Sequence, residues 1–217
     1  GGEAQRFSNI TTGASNPKWS PDGKYILFSS EVYPSCYVDS CNKKKMEEEK
    51  ALKYKARVYT QFPIRNWDKW KDVKQTHFFV QSIHPDSVAE DIFKEVSIAN
   101  NLGFGAGQAI WSADSKSILF VATTEANKAA FQDVSSHIYR VSIYGGEPIQ
   151  LTSGFFGFNT LQISEDGKYL YTLRTTSNTK KIYHDAKLWQ YDYPTMKNEK
   201  QLVKNLDRPI NKYFITN

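Results

Sequence analysis

One short unit occurs three times in this chain. Residues 17–28 read PKWSPDGKYILF, residues 109–120 read AIWSADSKSILF, and residues 161–172 read LQISEDGKYLYT. Trp19, Trp111 and Ile163 are equivalent positions, spaced 92 and then 52 residues apart. The match extends further at the ends, because residues 1–28 align without a gap to residues 145–172 at a constant offset of 144. A unit of about 50 residues constrains the fold before any local assignment is made. One copy cannot bury its own apolar face, so neighbouring copies must stack.

Each unit has a physical reading. A short strand (PKW, AIW, LQI) enters a turn in which Pro21 presets φ, Asp22 can bond back to the backbone, and Gly23 tolerates positive φ. A strand rich in β-branched and aromatic residues returns: KYILFSS, KSILFVATT and KYLYTLRTT. A third strand follows (HFFVQSI, HIYRVSI, KLWQYDY), then a more polar fourth (DIFKEVS, EPIQLTS, KQLVKN). Four strands with the outermost most polar is the plan of a propeller blade. The predicted fold is therefore all-β: a partial β-propeller of about three four-stranded antiparallel blades, plus flanking part-blades, as one domain over residues 1–217. The blades are expected at about 14–100, 106–155 and 158–205. The first seven residues read as the outer strand of a preceding blade, and residues 208–216 as the first strand of a following one.

The longer first spacing places an insert at about residues 32–76, inside the first blade. It holds Cys36 and Cys41, then a predicted helix from about Cys41 to Ala56 that Asp39 or Ser40 could cap. An aromatic hairpin follows, with Trp67 and Trp70 three apart and a polar turn expected at residues 71–74. Inserts of this size map to loops on one face of a repeat protein, so ligand recognition is expected here first.

The net charge of +5 permits acidic partners. In residues 42–57, however, Lys43, Lys44 and Lys45 precede Glu47, Glu48 and Glu49, and Lys50, Lys53 and Lys55 follow. Interleaved signs at this spacing predict a solvated helix laced with ion pairs, so no nucleic-acid partner is expected. No apolar run approaches the ~18 residues of a membrane span, and the start GGEAQRF is unlike a signal peptide, so no membrane partner is expected. A start at Gly rather than Met reads as a processed or excised piece of something longer. Two thiols without a nearby histidine cannot complete a zinc site, and their spacing is not C-x-x-C. Two readings of Cys36 and Cys41 remain: a disulfide closing a small loop, which implies an oxidising compartment, or two free thiols. No metal and no cofactor are expected.

W-S-P-D-G-K-Y-I-L-F, followed by further units of the GGEPIQLTSG type, resembles the propeller domain of the prolyl oligopeptidase family of serine peptidases. The repeat is shared with TolB-type propellers. The combination VYPSCYVDSCNKKK, KARVYTQFPIRNWDKWKD and HFFV resembles more narrowly the bacterial dipeptidyl peptidase and acylaminoacyl-peptidase-like members. The resemblance implies an N-terminal propeller covering a C-terminal α/β-hydrolase domain that carries Ser, Asp and His, in a secreted or periplasmic enzyme. That second domain is absent from these residues. The nucleophile elbow needs G-x-S-x-G between a strand and a helix. Here Gly13, Ala14, Ser15, Asn16 and Pro17 end on proline and precede a strand, so Ser15 reads as a loop residue and no catalytic triad is assigned.

His77, His84, His137 and His184 are far apart, and the equivalence of His77 and His137 points to a structural role. The GFGAG stretch at residues 103–107 lacks the Lys and the context of a phosphate loop and reads as a flexible connection. Asp22, Asp114 and Asp166 read as turn caps, since one carboxylate per blade cannot surround calcium. Arg65, Trp67, Asp68 and Trp70 carry two readings. They could hold a peptide carboxylate or carbonyl and stack on its side chains. Alternatively, the tryptophans pack the insert onto the blade and Arg65 pairs with Asp68 or a neighbouring acid.

The leading expectation is a non-catalytic propeller that restricts a peptidase to short or unfolded peptides. The alternative is a non-enzymatic TolB-like propeller that binds protein or peptide. Closed propellers usually have 4 to 8 blades, so an open set of three is expected to associate with another copy or a missing segment.

Overall fold

The structure, a computed structural model, describes residues 2–3, 6–54, 56–59, 62–176 and 185–215. Gly1, Ala4, Gln5, Lys55, Thr60, Gln61, His184 and Thr216, which several of these expectations touch, lie outside them. In chain order the strands are β1 (Ser15–Trp19), β2 (Tyr25–Val32), β3 (Arg65–Asn66), β4 (Lys69–Trp70), β5 (Gln75–Ser82), β6 (Glu90–Asp91) and β7 (Gly105–Trp111). They continue as β8 (Ser117–Thr123), β9 (His137–Ser142), β10 (Ile149–Gln150), β11 (Phe156–Ile163), β12 (Tyr169–Thr176), β13 (Lys187–Asp192) and β14 (Lys197–Gln201). Among the described residues one α-helix, α1, spans Asp39–Ala51. The sheets are β1-β2-β5-β6, β7-β8-β9-β10 and β11-β12-β13-β14, with β3-β4 as a separate hairpin. Every pairing within the four-stranded sheets is antiparallel, so each is one blade built in chain order.

The repeated turn explains why each blade opens alike. Ser20 Oγ lies 2.6 Å from Asp22 Oδ1 and accepts the Tyr25 N–H at 3.0 Å, while Asp22 accepts the Lys24 N–H at 3.1 Å. Ser112 with Asp114, and Ser164 with Asp166, repeat the arrangement. These bonds hold all three aspartates below the ordinary carboxylate range, the serine hydroxyl first among the causes, with Asp166 lowered to about 2. Each innermost strand also carries a register shift within one residue of the same repeat position, between Ser15 and Lys18, Ala106 and Ala109, and Asn159 and Gln162. A recurring bulge bends the strand at one height in every blade.

Strand alternation then decides the core. Leu27, Phe78 and Val80 face Ile118, Phe120, Tyr139 and Val141 across the first junction, with Phe93 filling the gap. The other face of the middle blade, Leu119, Val121 and Ile138, packs on Phe158, Leu161, Leu170 and Tyr191. Phe93 is fully buried, with ring centroids 5.1 Å from Phe120, 5.3 Å from Phe104 and 5.7 Å from Phe78. Trp111 adds a polar tie by donating from Nε1 to the Lys18 carbonyl at 3.0 Å. Its equivalent Trp19 is 63% exposed, whereas Trp111 is 5% exposed.

The end faces are covered by the chain itself. Ile10 packs against Phe28, Val32 and Phe79, and the Phe7 carbonyl accepts from Gln81 Nε2 at 3.1 Å. Residues 6–10 thus cross the first blade as irregular chain, while residues 1, 4 and 5 of the seven expected as an outer strand lie outside the described residues. At the other end Tyr213 is buried with Leu173 and Leu188. Gln162 holds the Tyr213 carbonyl and the Ile215 N–H, each at 3.1 Å, much as Gln108 holds the Leu161 N–H at 2.6 Å. The segment from residue 208 therefore docks where a further innermost strand would run, without strand pairing of its own.

Three local expectations need correction. The outer strands are shorter than expected, and in the first blade the chain leaves the sheet after Asp91. There Asp91 bonds His77 and the Phe93 N–H, and Ile92, Phe93 and Val96 turn into the core instead of facing water. Helix α1 lacks the expected side-chain cap: Asp39 accepts instead from the Thr11 N–H and hydroxyl, both at 2.7 Å. The GFGAG stretch is not a loose connection, because Gly105 begins β7 and a Cβ on Gly103 would lie 2.2 Å from the Thr124 carbonyl oxygen.

Candidate functional site

The chain between β2 and β5 is anchored before it presents anything. Cys36 and Cys41 form a disulfide, Cα to Cα 5.3 Å. Asn42, buried at the start of α1, accepts the Tyr33 N–H at 2.9 Å and donates to the Cys36 carbonyl at 3.0 Å. Tyr33 donates its hydroxyl to Glu49, and burial, then that carboxylate, pushes the phenol pKa up. Lys74 lies 5.0 Å from the Tyr33 ring and pairs with Asp72 at 3.2 Å. The outward face of α1 is solvated, with Lys44 and Lys45 beside Glu48 at 4.0 and 3.4 Å, as the charge pattern predicts.

From this base rises the β3-β4 hairpin, closed by the Lys71 N–H on the Ile64 carbonyl at 3.1 Å. Arg65 pairs with Trp70 and Asn66 with Lys69, so the turn falls on Trp67 and Asp68, earlier than the expected residues 71–74. The reason is the two-residue loop, which fits a tight hairpin when its first residue takes positive φ. Trp67 does so, at φ 52°. Such a conformation costs a residue with a Cβ about 1 kcal/mol or more.

Both tryptophans stand outside the blade core. Trp67 is 91% exposed and Trp70 55%, and Arg65, Asp68 and Lys69 are exposed. Among the described residues Arg65 forms no ion pair with Asp68. Trp70 stacks on Tyr59 at 6.1 Å, and Tyr59 donates to the Lys71 carbonyl at 3.3 Å, which stiffens one side of the hairpin. Phe62, just before it, meets Phe131 of the β8-β9 connection edge-on at 5.8 Å, and both are largely exposed. The structure thus brings together all four sequence-predicted residues and adds Tyr59, Phe62 and Phe131, which sequence spacing could not connect. Chemically the surface offers flat aromatic faces and a guanidinium.

Other candidates fall elsewhere. Ser15 begins β1 opposite Ser29. His77 Nδ1 lies 2.7 Å from Asp91 Oδ2, a buried imidazole and carboxylate pair that sequence reasoning missed because its partners are 14 residues apart. Its burial leaves a substrate no approach, and it serves to pull Asp91 inward. His137 is part-buried, and that burial lowers its pKa against a weaker upward pull from Glu125. At the third blade Arg174 is clasped over Trp189 at 3.4 Å and Phe156 at 4.5 Å, and donates to Tyr191 and Glu199, each at 2.7 Å.

No protein-family model and no curated protein matches the chain. Among solved structures it is similar to a puromycin-hydrolyzing peptidase of Mycobacterium tuberculosis, 16% identical with TM-score 0.47, over 85% of this chain and 21% of that one. It is similar to TolB from Acinetobacter baumannii, 15% identical with TM-score 0.46, over 90% of this chain and 33% of that one. It is also similar to prolyl oligopeptidase B from Galerina marginata, 16% identical with TM-score 0.44, over 88% of this chain and 22% of that one. The chain therefore spans between a fifth and a third of the length of these proteins. At such identities the likeness concerns the fold and carries nothing about activity.

Proposed function

We propose that this chain is a non-catalytic propeller wall of a secreted or periplasmic peptidase resembling the prolyl oligopeptidase family. On this reading its β3-β4 hairpin contacts extended peptide on the way to an α/β-hydrolase domain. The observation that carries the proposal is Trp67, almost wholly exposed at positive φ on an anchored hairpin beside Arg65. A large aromatic held in water at a conformational cost gains most when a ligand covers it. The disulfide supports an oxidising compartment.

Intrinsic fluorescence of the full chain titrated with unfolded peptides tests the proposal. Trp67→Ala with Trp70→Ala should weaken peptide binding at least about tenfold, about 1.4 kcal/mol, and leave the melting temperature unchanged. Unaltered binding by that variant would sink the hairpin role. Peptide hydrolysis by the purified chain, blocked by a serine-directed inhibitor, would sink the non-catalytic reading. The coding sequence after Asn217 separates this from a TolB-like binding module: a downstream G-x-S-x-G with later Asp and His supports the peptidase, and an early stop the module.

A further inference from the structure

A cavity of about 930 Å³ lies along the first blade, away from the hairpin. Its walls come from the N-terminal segment, the start of α1, the chain around β6, and the β9-β10 turn at residues 143–147. The size falls within the range of small-ligand sites. Ile10, Val38, Phe79 and Tyr144 give it apolar surface, and its ionisable lining is one-sided. Asp39, Glu90, Asp91, Glu95 and Glu147 line it, against Lys94 alone among Lys and Arg. Three of these carboxylates already have partners: Asp39 holds Thr11, Asp91 holds His77 Nδ1 at 2.7 Å and the Phe93 N–H, and Glu147 holds the Ser97 N–H and hydroxyl at 2.8 and 3.0 Å. Glu90 and Glu95 are exposed.

A second, independent observation concerns Gln81, which also lines the cavity. Gln81 pairs with Ile26, as Val141 pairs with Ile118 and Tyr191 with Leu170. The three positions are equivalent in the repeat, and the other two blades fill theirs with buried apolar side chains. In the first blade the amide is 6% exposed, and its Nε2 donates to the Phe7 and Ser87 carbonyls at 3.1 and 3.0 Å. Those two acceptors fix the orientation of the amide and leave Oε1 buried without a partner. A glutamine where the repeat uses valine and tyrosine, with its acceptor unused, marks a departure from pure packing.

We propose that this cavity binds an alkylammonium group, either a lysine side chain or a free amine of similar length. The ammonium supplies donors to Gln81 Oε1 and to the exposed carboxylates Glu90, Glu95 and Glu147, while Asp91 stays with His77, and its methylene stem lies on the apolar wall. The site is independent of the hairpin and of the peptidase reading.

The test is NMR titration of the full chain with hexylamine, hexanol and hexanoate, following the Gln81 side-chain amide and the Gly145 and Gly146 backbone amides. Saturable shifts are expected with hexylamine, at least about tenfold weaker binding with hexanol, and none with hexanoate. Glu90→Gln with Glu95→Gln, both on the surface, should weaken hexylamine about tenfold. Gln81→Leu should weaken hexylamine binding while keeping the preference over hexanol that the carboxylates set. Nα-acetyl-lysine methylamide binding as well as hexylamine would assign the source to a protein lysine, and hexylamine binding alone to a free amine. Equal binding of hexanol and hexylamine would overturn the proposal, leaving an apolar gap, and so would a double variant that binds like the parent.

Discussion

Replacing Ser112 by Ala tests whether the repeated turn stabilises the chain through burial or through hydrogen bonding alone. Ser112 is buried, with its Oγ 2.6 Å from Asp114 Oδ1, and it accepts the Ser117 N–H at 2.9 Å. Two lost hydrogen bonds at about 1 kcal/mol each give about 2 kcal/mol, rising to about 3 because the Ser117 N–H loses its acceptor beside the core. For a domain of this size each kcal/mol shifts the melting temperature by about 2–4 °C, so a fall of roughly 4–12 °C is expected. Ser164 makes the same bonds in a turn open to water, where solvent replaces the hydroxyl, and Ser164→Ala should cost about 1 kcal/mol. Urea denaturation followed by far-UV circular dichroism measures both, alongside Ser20→Ala, which should resemble Ser112→Ala because Ser20 is equally buried. Equal losses at all three serines would refute the reasoning, since burial would then contribute nothing.

Trp111→Leu should cost about 2–3 kcal/mol in the same assay, through lost area and the freed Lys18 carbonyl, whereas Trp19→Leu should stay within about 0.5. Asn42→Ala leaves the Tyr33 N–H and Cys36 carbonyl without their partner, so amide exchange in α1 should accelerate while β8 and β9 keep their protection. Equal acceleration throughout would contradict an anchoring role confined to the insert. The folded-state pKa of His137 is depressed, so the unfolded chain binds the proton more readily. Its contribution to stability is complete above the unfolded value of about 6.5 and is lost as pH falls through the lower folded value. His137→Phe should flatten the stability profile below about pH 6.5, and an unchanged slope there would exclude this residue.

The blade plan was legible because its determinants are local. Ser, Asp and a following Lys or aromatic residue within six positions specify the turn, and strand alternation specifies two buried faces. Asp22, Asp114 and Asp166 behave as their spacing implies. Burial was not legible in the same way. The stretch DIFKEVS has the composition of a polar edge, yet Phe93 enters the core because His77 and Phe78 of β5 and Phe120 of β8 meet there. The helix starts at Asp39, two residues earlier than expected, so Val38 takes the cap position and the Asp39 carboxylate goes to Thr11, 28 residues away. Nothing near Trp67 and Trp70 distinguishes core aromatics from exposed ones, because exposure depends on what the rest of the chain brings alongside. The amino-acid sequence by itself determined the repeat, its turns and the place of the insert. Only the tertiary structure decided which residues leave the sheet for the core, that Trp67 and Trp70 stand in water, and that Gln81 keeps an unused acceptor beside a cavity, since each depends on contacts between segments far apart in the chain.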